Sequence, residues 1–426
     1  MSASSLIIKS LIDRGLPSLW TIQSNPYAPV AKWVLVTSGL VASMVHIGGV
    51  TRLTRSGLSM TDWTPLGSFP PITHGEWLAE FEKYKTFPEW QQRQSMTLDE
   101  FKHIFYWEWG HRMMGRVVGL AFVLPWGYYA WVRHIIPPGY NQNFSLLLTM
   151  GTTQGLVGWW MVKSGLGENR RGDTHEIRVS PYRLATHLTM AVSTFGILLW
   201  TAMGISQHPN DVVAALPSSG LSSLPPPSKL QELTRSLTTS ALNSAKRVRI
   251  VAMGLTSITA LTMISGAFVA GNDAGNAYNT FPKMDNQWIP LDDMVDPKLQ
   301  PSYRNIFENT ATVQWNHRFL GTSTAITALA LTGLGLTHPT TRKALTPQAK
   351  RGLLLVGGAA LSQATLGIST LLNYVPIGLA AAHQLGSLVV LSSSLYLVHS
   401  LRYVSPRAIA ASGALKFRPL TICKPN

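Results

Sequence analysis

The chain has 426 residues, a net charge of +15 at pH 7 and only 13% charged residues. Its single cysteine, Cys423, excludes an intrachain disulfide and a cysteine-based metal site. The surplus of Lys and Arg forms no basic patch with interleaved aromatic residues, so we do not expect nucleic-acid binding.

Apolar runs recur along the chain, and a helix that crosses a bilayer needs about 20 such residues. In chain order we predict eight transmembrane helices, at residues 33–51, 110–132, 144–162, 184–204, 250–270, 313–336, 352–372 and 379–401. A soluble protein would need eight long, buried core helices with few charged faces, which this composition disfavours. The predicted fold is therefore an all-α, polytopic membrane protein.

The distribution of Lys and Arg indicates the orientation of these helices. Basic residues concentrate before the first helix, in the connections after the second, fourth and sixth helices, and in the tail. The connection 271–311 instead carries mainly acidic residues. Because Lys and Arg near the ends of spans mark the cytoplasm-equivalent side, we predict that both termini lie inside.

Three sequence motifs occur twice, in the same order. W-E-W-G-H-R-M-M-G at 107–115 matches V-Q-W-N-H-R-F-L-G at 313–321. Q-G-L-V-G at 154–158 matches Q-A-T-L-G at 363–367, and R-L-A-T-H-L at 183–188 matches L-A-A-A-H-Q-L at 379–385. These matches predict a duplicated unit of four helices.

The duplication predicts two tandem four-helix bundles. Each unit has an even number of helices, so both units enter the membrane from the same side. We therefore expect a pseudo-two-fold axis along the membrane normal. The predicted segments are an inside segment at 1–31, an N-terminal bundle at 32–205, an inside linker at 206–246, a C-terminal bundle at 247–403 and an inside tail at 404–426.

Four of the twelve histidines fall at one membrane face, at the starts of the even-numbered helices: His111, His187, His317 and His383. One membrane histidine is most simply a hydrogen-bonding group, but two repeated pairs at matched depth indicate a metal site. Haem suits such pairs, because its iron takes one axial imidazole on each side of a planar ring. Zinc, copper or di-iron sites would need cysteines or clustered carboxylates as well. The following glycines, on the same helix faces, would leave room for the ring: Gly115, Gly321 and Gly386.

Charged residues accompany these histidines. Arg112 and Arg318 each follow a histidine directly, and Arg116 lies one turn further on. A guanidinium can bind a haem propionate through two hydrogen bonds, although these arginines could also only reach the membrane interface.

Glu108 and Gln314 distinguish the two halves. Glu108 precedes His111 by three residues and shares its helix face. Its counterpart Gln314 cannot exchange a proton. This difference predicts one reactive haem and one haem that stores or passes electrons.

Long motifs in this chain resemble those of the haem A synthase family. They are H-I-G-G-V-T-R-L-T-R-S-G-L-S-M at 46–60, E-W-G-H-R-M-M-G-R at 108–116, Q-G-L-V-G-W-W-M-V-K-S-G-L at 154–166 and A-G-N-D-A-G-N-A-Y-N-T-F-P-K-M at 270–284. The resemblance covers about residues 30 to 402, and the mitochondrial, Cox15-like branch fits best.

The resemblance implies an enzyme of the mitochondrial inner membrane, with both termini in the matrix. It would oxidise the C8 methyl of haem O to the formyl group of haem A, for cytochrome c oxidase. By the same resemblance, His111 and His187 would bind haem O, and Glu108 would serve the chemistry. His317 and His383 would bind a haem b cofactor that relays electrons.

The resemblance also implies partners. These are haem O synthase, a ferredoxin-type electron donor, cytochrome c oxidase assembly factors and the lipid bilayer. Some bacterial members carry a cysteine pair in an outer loop, and this chain has none, so a mechanism through that pair does not transfer.

Two other functions stay open. A di-haem b electron-transfer protein would place its haems near opposite membrane faces, whereas the four histidines are predicted near one face. A haem transporter or chaperone would leave Glu108 without a proton to transfer. The sequence sets neither the oxygen source nor the oligomeric state, so a homo-oligomer also stays open.

Overall fold

The computed structural model of the chain describes residues 25–60, 62–64, 67–166, 178–206 and 229–411. Most of the predicted inside segment 1–31 and of the tail 404–426, including Cys423, lies outside these residues. So do residues 207–228 of the predicted linker.

The described residues are helical throughout, apart from their connections. They contain no β-strand, only an isolated bridge between Met284 and Gln287. In chain order the helices are α1 (Ala28–Leu53), α2 (His74–Lys85), α3 (Leu98–Gly127), α4 (Tyr140–Leu166), α5 (Pro181–Ser206), α6 (Lys229–Ser236), α7 (Thr239–Gly271), α8 (Asn305–Glu308), α9 (Thr310–Thr337), α10 (Pro339–Ala344), α11 (Pro347–Leu372), α12 (Ile377–Ser400) and α13 (Pro406–Ala411).

Six of these helices are long and apolar enough to cross a membrane: α1, α5, α7, α9, α11 and α12. The prediction of an all-α, multi-pass membrane protein is therefore confirmed. The helices α3 and α4 coincide with the other two predicted spans but do not reach the same apolar character. The count of eight spans stays a prediction.

The helix α3 begins at Leu98, twelve residues before the predicted start at 110. A capping box explains the difference. The Thr97 hydroxyl accepts a hydrogen bond from the Glu100 amide, and the Glu100 carboxylate accepts one from the Thr97 amide, at 2.7 Å. The predicted start followed the apolar run, whereas the cap lies in the polar sequence before it.

Each half of the chain closes a ring of four helices, with neighbours in the same order. In the first half α1 packs against α3 and α5, and α4 completes the ring between them. In the second half α7 packs against α9 and α12, and α11 completes that ring. This order fits a duplicated unit, although the axis and the bundle boundaries stay predictions.

The two halves pack through α1, α5, α7 and α12, and an ion-pair cluster joins them at one end. Arg52, at the end of α1, donates hydrogen bonds to the Ala270 carbonyl at 2.6 Å and to the Asp273 carboxylate at 3.1 Å. Arg178 donates to the same carboxylate at 3.3 Å. A third arginine, Arg55, lies 3.7 Å from this carboxylate, so Asp273 of the second half pairs with three arginines of the first half.

The connection between α1 and α3 forms a small aromatic core of its own. Trp77, Phe81 and Tyr84 of α2 pack against Phe101 and Phe105 of α3. This core lies beside the predicted spans and orders the loop ahead of His111.

Glu89 is buried beside this core, with 6% of its surface exposed. One carboxylate oxygen lies 3.8 Å from Arg93 Nε, and the other has no hydrogen-bond partner among the described residues. Burial raises the pKa of Glu89 to about 7. The guanidinium of Arg93 offsets part of this rise, and the negative charge of Glu108 adds to it.

Replacing Glu89 by Gln should stabilise the protein in a pH-dependent way. Between the ordinary pKa of 4.5 and about 7, the folded chain binds a proton at Glu89 that the unfolded chain has lost. The free energy of unfolding therefore falls as the pH rises through this window, and the loss is complete above it. At pH 8.5 we expect Glu89→Gln to gain on the order of 1–3 kcal/mol, and at pH 4.5 little.

Thermal unfolding in detergent at the two pH values measures this effect. Glu82→Gln is the control, because the Glu82 side chain is exposed and pairs with Lys85 at the surface. A gain for Glu89→Gln that is equal at both pH values would contradict the prediction.

Candidate functional site

The four predicted ligands lie on four different helices of the described chain. His111 is in α3, His187 in α5, His317 in α9 and His383 in α12. The last three lie within the first eight residues of their helices, while His111 lies deeper because α3 begins early.

Each of these imidazoles rests directly on a glycine of a neighbouring helix. A Cβ atom built on that glycine would come within 2.6 to 3.1 Å of the histidine Cε1. At Gly48 and Gly367 the contact is shorter than real Cβ atoms make, so any other residue there would displace the ring. At Gly158 and Gly266 the ring would have to shift by a few tenths of an ångström. The pairs are Gly48 with His111, Gly158 with His187, Gly266 with His317, and Gly367 with His383.

These glycines are not the ones that the sequence predicted. Gly115 and Gly321 make only ordinary van der Waals contacts, and Gly386 faces Gln363. Each histidine thus meets a glycine of the opposite helix, and room for a ring at Gly115, Gly321 and Gly386 stays a prediction. The duplicated motif Q-x-x-x-G, at 154–158 and 363–367, was a signal for two of the four.

The spacing of His317 and His383 fits one metal ion between them. Their ring centroids are 6.4 Å apart and the ring planes are nearly perpendicular, at 89°. A metal–imidazole bond is about 2 Å long, and the ring centre lies roughly 1 Å behind the bonding nitrogen. Two imidazoles on opposite sides of one ion should therefore have centroids about 6 Å apart.

The described residues contain no group of three or more His, Cys, Asp or Glu side chains that could hold a metal ion. Among the described residues, Nδ1 of His111 and Nδ1 of His383 are buried and make no hydrogen bond. A ligand that brings its own equatorial donors, as haem does, fits histidine pairs of this kind.

Two glutamines of the duplicated motif hold the helices that carry the second histidine of each pair. Gln154 Nε2 donates to the His187 carbonyl at 3.1 Å, and Gln363 Nε2 donates to the His383 carbonyl at 2.8 Å. The glutamine and the glycine four residues later thus act on the same histidine residue. The sequence alone did not indicate a role for these glutamines.

Glu108 is buried, with 3% of its surface exposed. One oxygen accepts hydrogen bonds from the Ser59 hydroxyl at 2.7 Å and the Met60 amide at 2.8 Å, and the other accepts one from Arg112. Three donors thus fix this carboxylate one helical turn ahead of His111.

Gln314 occupies the same place in the second half. Its amide oxygen accepts from Arg318 at 2.9 Å, and its nitrogen donates to the Ala274 carbonyl at 2.7 Å. The arginine four residues after the acceptor is common to both halves. The halves therefore share this geometry but differ in one ionisable group.

The three predicted propionate partners all reach the backbone of the loops that precede α3 and α9. Arg112 donates to the Asp62 carbonyl at 2.8 Å, and Arg116 to the Thr64 carbonyl. Arg318 donates to the Thr280 carbonyl at 2.8 Å. Each arginine thus anchors the loop beside its histidine, a role that the sequence did not indicate, and a contact with propionates stays a prediction.

Comparison with known proteins identifies the relatives of this chain. A family model described as cytochrome oxidase assembly protein, COX15-CtaA, matches residues 31–395. The chain is 43% identical to "Heme A synthase COX15" of Arabidopsis thaliana over 401 residues, which cover 94% of this chain and 80% of the relative.

Two further relatives show the same similarity. The chain is 43% identical to "Heme A synthase COX15" of Homo sapiens over 378 residues, 88% of this chain and 83% of the relative. It is 40% identical, over 387 residues, to a "Heme A synthase-mitochondrial ferredoxin fusion protein" of Schizosaccharomyces pombe. That match covers 88% of this chain and 60% of the fusion protein.

Replacing Gly367 by Ala should weaken binding at the second histidine pair. The new methyl group would lie 2.6 Å from His383 Cε1, so the ring must move. We expect roughly a 10- to 100-fold loss of haem affinity, the range found when the support of a metal ligand is removed. The haem bound per purified chain, measured as the pyridine complex, reports this loss.

Gly358→Ala is the matched control. Gly358 lies in the same helix, α11, and has no other atom within 4 Å of a built Cβ. Both changes should favour the helix, because Ala has the higher helix propensity. Equal haem content in the two variants would show that the glycine contact does not support the ligand.

Proposed function

The chain belongs to the COX15-CtaA family of cytochrome oxidase assembly proteins, and we propose that it is a haem A synthase. Such an enzyme oxidises the C8 methyl of haem O to a formyl group, by way of hydroxylated intermediates. The observation that carries the proposal is the pair of histidine sites with one ionisable difference: Glu108 stands beside the first and Gln314 beside the second.

We assign the two histidine pairs to two haems. His317 and His383 would hold a haem b cofactor, which supplies electron-transfer chemistry when bound. Their centroid distance of 6.4 Å supports this assignment. His111 and His187 would hold the substrate haem O, since Glu108 lies one turn from His111.

Glu108 is the residue we propose to handle protons. Oxidation of a methyl group releases protons, and a carboxylate beside the substrate can accept them. Ser59, Met60 and Arg112 fix the position of this carboxylate, so it needs no rearrangement before it acts. Gln314 makes the corresponding arginine contact but cannot take up a proton.

Arg112 and Arg318 each directly follow the first histidine of their half, and Arg116 lies one turn further on in α3. We propose that each anchors an outer loop and turns part of its guanidinium toward a propionate when haem is present. A guanidinium has five N–H donors, enough for both tasks. Closure of the loop and binding of the porphyrin would then occur together.

Membership of the same family also bears on the membrane, the electron donor and the partner proteins of this chain. We propose that α3 and α4 also cross the membrane, which gives eight spans in the mitochondrial inner membrane with both termini in the matrix. The fusion of a relative to a mitochondrial ferredoxin supports a ferredoxin-type electron donor. Haem O synthase would supply the substrate, and oxidase assembly factors would receive the product.

The haems of the purified protein test this function first. Extracted from the protein in detergent and separated by chromatography, they should comprise haem b together with haem O, haem A or a hydroxylated intermediate. Haem b alone in both sites would favour a di-haem electron-transfer protein. A protein that binds no haem would overturn the assignment of both histidine pairs.

Replacing Glu108 by Gln should leave both haems bound but abolish most conversion. Gln314 shows that glutamine at this position pairs with its arginine, so the local fold should persist. Loss of a positioned acid or base typically slows a reaction by about 10²–10⁴-fold. We expect haem O to accumulate and haem A to fall accordingly, measured by chromatography of extracted haems.

Glu100→Gln serves as the control, because Glu100 is exposed in the first turn of the same helix and Gln is accepted in a capping box. Unchanged haem A production in Glu108→Gln would remove Glu108 from the mechanism. Loss of haem from that variant would instead assign Glu108 a structural role.

A further inference from the structure

The hydrogen bonds around His317 specify where its proton lies. His317 Nδ1 is 2.7 Å from the Ser265 hydroxyl oxygen, and that hydroxyl donates to the Thr262 carbonyl at 2.8 Å. A serine has only one hydrogen, so the oxygen that has donated it can only accept from the ring. The arrangement that satisfies both contacts places the proton on Nδ1 of His317 and leaves Nε2 with the lone pair that a metal requires.

The first half lacks this arrangement. Gly266 and Gly48 are counterparts, because each supports the first histidine of its half. The residue before Gly266 is Ser265, whereas the residue before Gly48 is Ile47, whose side chain cannot form a hydrogen bond. Nδ1 of His111 is accordingly buried without a hydrogen-bond partner among the described residues.

The second histidines of the two pairs, His187 and His383, leave this difference between the halves unchanged. Within the part of the chain that the structure describes, Nδ1 of His383 has no hydrogen-bond partner. At His187, the amide nitrogen of Gln154 lies 3.2 Å from Nδ1 and 3.3 Å from Nε2. That nitrogen is a donor, and a donor at an imidazole nitrogen competes for the lone pair that a metal would take. Only the C-terminal pair therefore contains a histidine that is prepared for its metal.

We propose that Ser265 makes the C-terminal pair a permanent haem site, and that Ile47 leaves the N-terminal pair as a site from which haem exchanges. This inference rests on the proposed function, since a cofactor must stay through many turnovers while the substrate enters and the product leaves. A hydrogen bond to the second nitrogen of a ligating histidine fixes its orientation and raises its basicity. One side chain in each half, Ser265 or Ile47, would thus determine whether the site keeps a cofactor or exchanges a substrate.

Haem release from the purified holoprotein tests the proposal. Excess apomyoglobin, which captures free haem, is added, and the loss of each haem is followed by chromatography of the haems that remain on the protein. In the unaltered protein, haem b should leave at least about tenfold more slowly than haem O. In Ser265→Ala, release of haem b should accelerate by about 10- to 100-fold.

Two further variants separate this role from general packing. Ser265→Thr keeps the hydroxyl and should restore slow release. Ser257→Ala removes a serine of the same helix whose hydroxyl bonds only to the Met253 carbonyl, at 3.1 Å, and should change nothing. The reduction potential of haem b should rise in Ser265→Ala and not in Ser257→Ala, because a less basic imidazole stabilises ferric iron less.

The converse variant, Ile47→Ser, places a hydroxyl beside His111. We expect haem to leave the N-terminal site more slowly and multiple turnovers to slow at product release. Equal release rates from the two sites of the unaltered protein, or unchanged release of haem b in Ser265→Ala, would overturn the inference. If such a protein still converted haem O to haem A, the proposed function would stand without it.

Discussion

The contact of an imidazole ring with a bare helix backbone is the constraint on which the site depends. A ring can lie this close to a neighbouring helix only where that helix has no Cβ, and four glycines provide this at four places. Small residues let membrane helices approach closely, although glycine in a helix costs about 0.5–1 kcal/mol relative to alanine. Each ring is thereby held in one position, so its nitrogens are oriented before a ligand binds.

The loops that precede α3 and α9 are built around the same histidine helices. In each half, an arginine one residue after the first histidine reaches loop carbonyls and also pairs with the residue four positions before it. This arrangement ties the loop to the helix face that presents the ligand. Because the halves share these bonds, the exchange of Glu108 for Gln314 changes proton capacity while leaving the framework in place. The duplication thus supplies geometry, and single substitutions supply the difference in chemistry.

The sequence predicted the helices well where apolar character defines them. The last run, predicted at 379–401, is observed as Ile377–Ser400. The prediction from the sequence was wrong at the start of α3, because a capping box in polar sequence sets that boundary. The histidine pairs could be found because the duplicated motifs carry them.

Tertiary contacts were beyond the sequence. Spacing relates a histidine to glycines on its own helix, but it does not show which face of another helix lies opposite. Gly266 and Ser265 therefore could not be connected with His317. The burial of Glu89 was hidden for the same reason, since the aromatic core beside it is built from α2 and α3, which are other segments of the chain.

A single turn of α1 serves both histidine pairs. Gln384, next to His383, donates to the Val45 carbonyl at 3.0 Å and lies against Gly49. Gly48, the adjacent residue, supports His111. A substitution in this turn would therefore disturb the surroundings of His111 and His383 at once while leaving all four histidines intact.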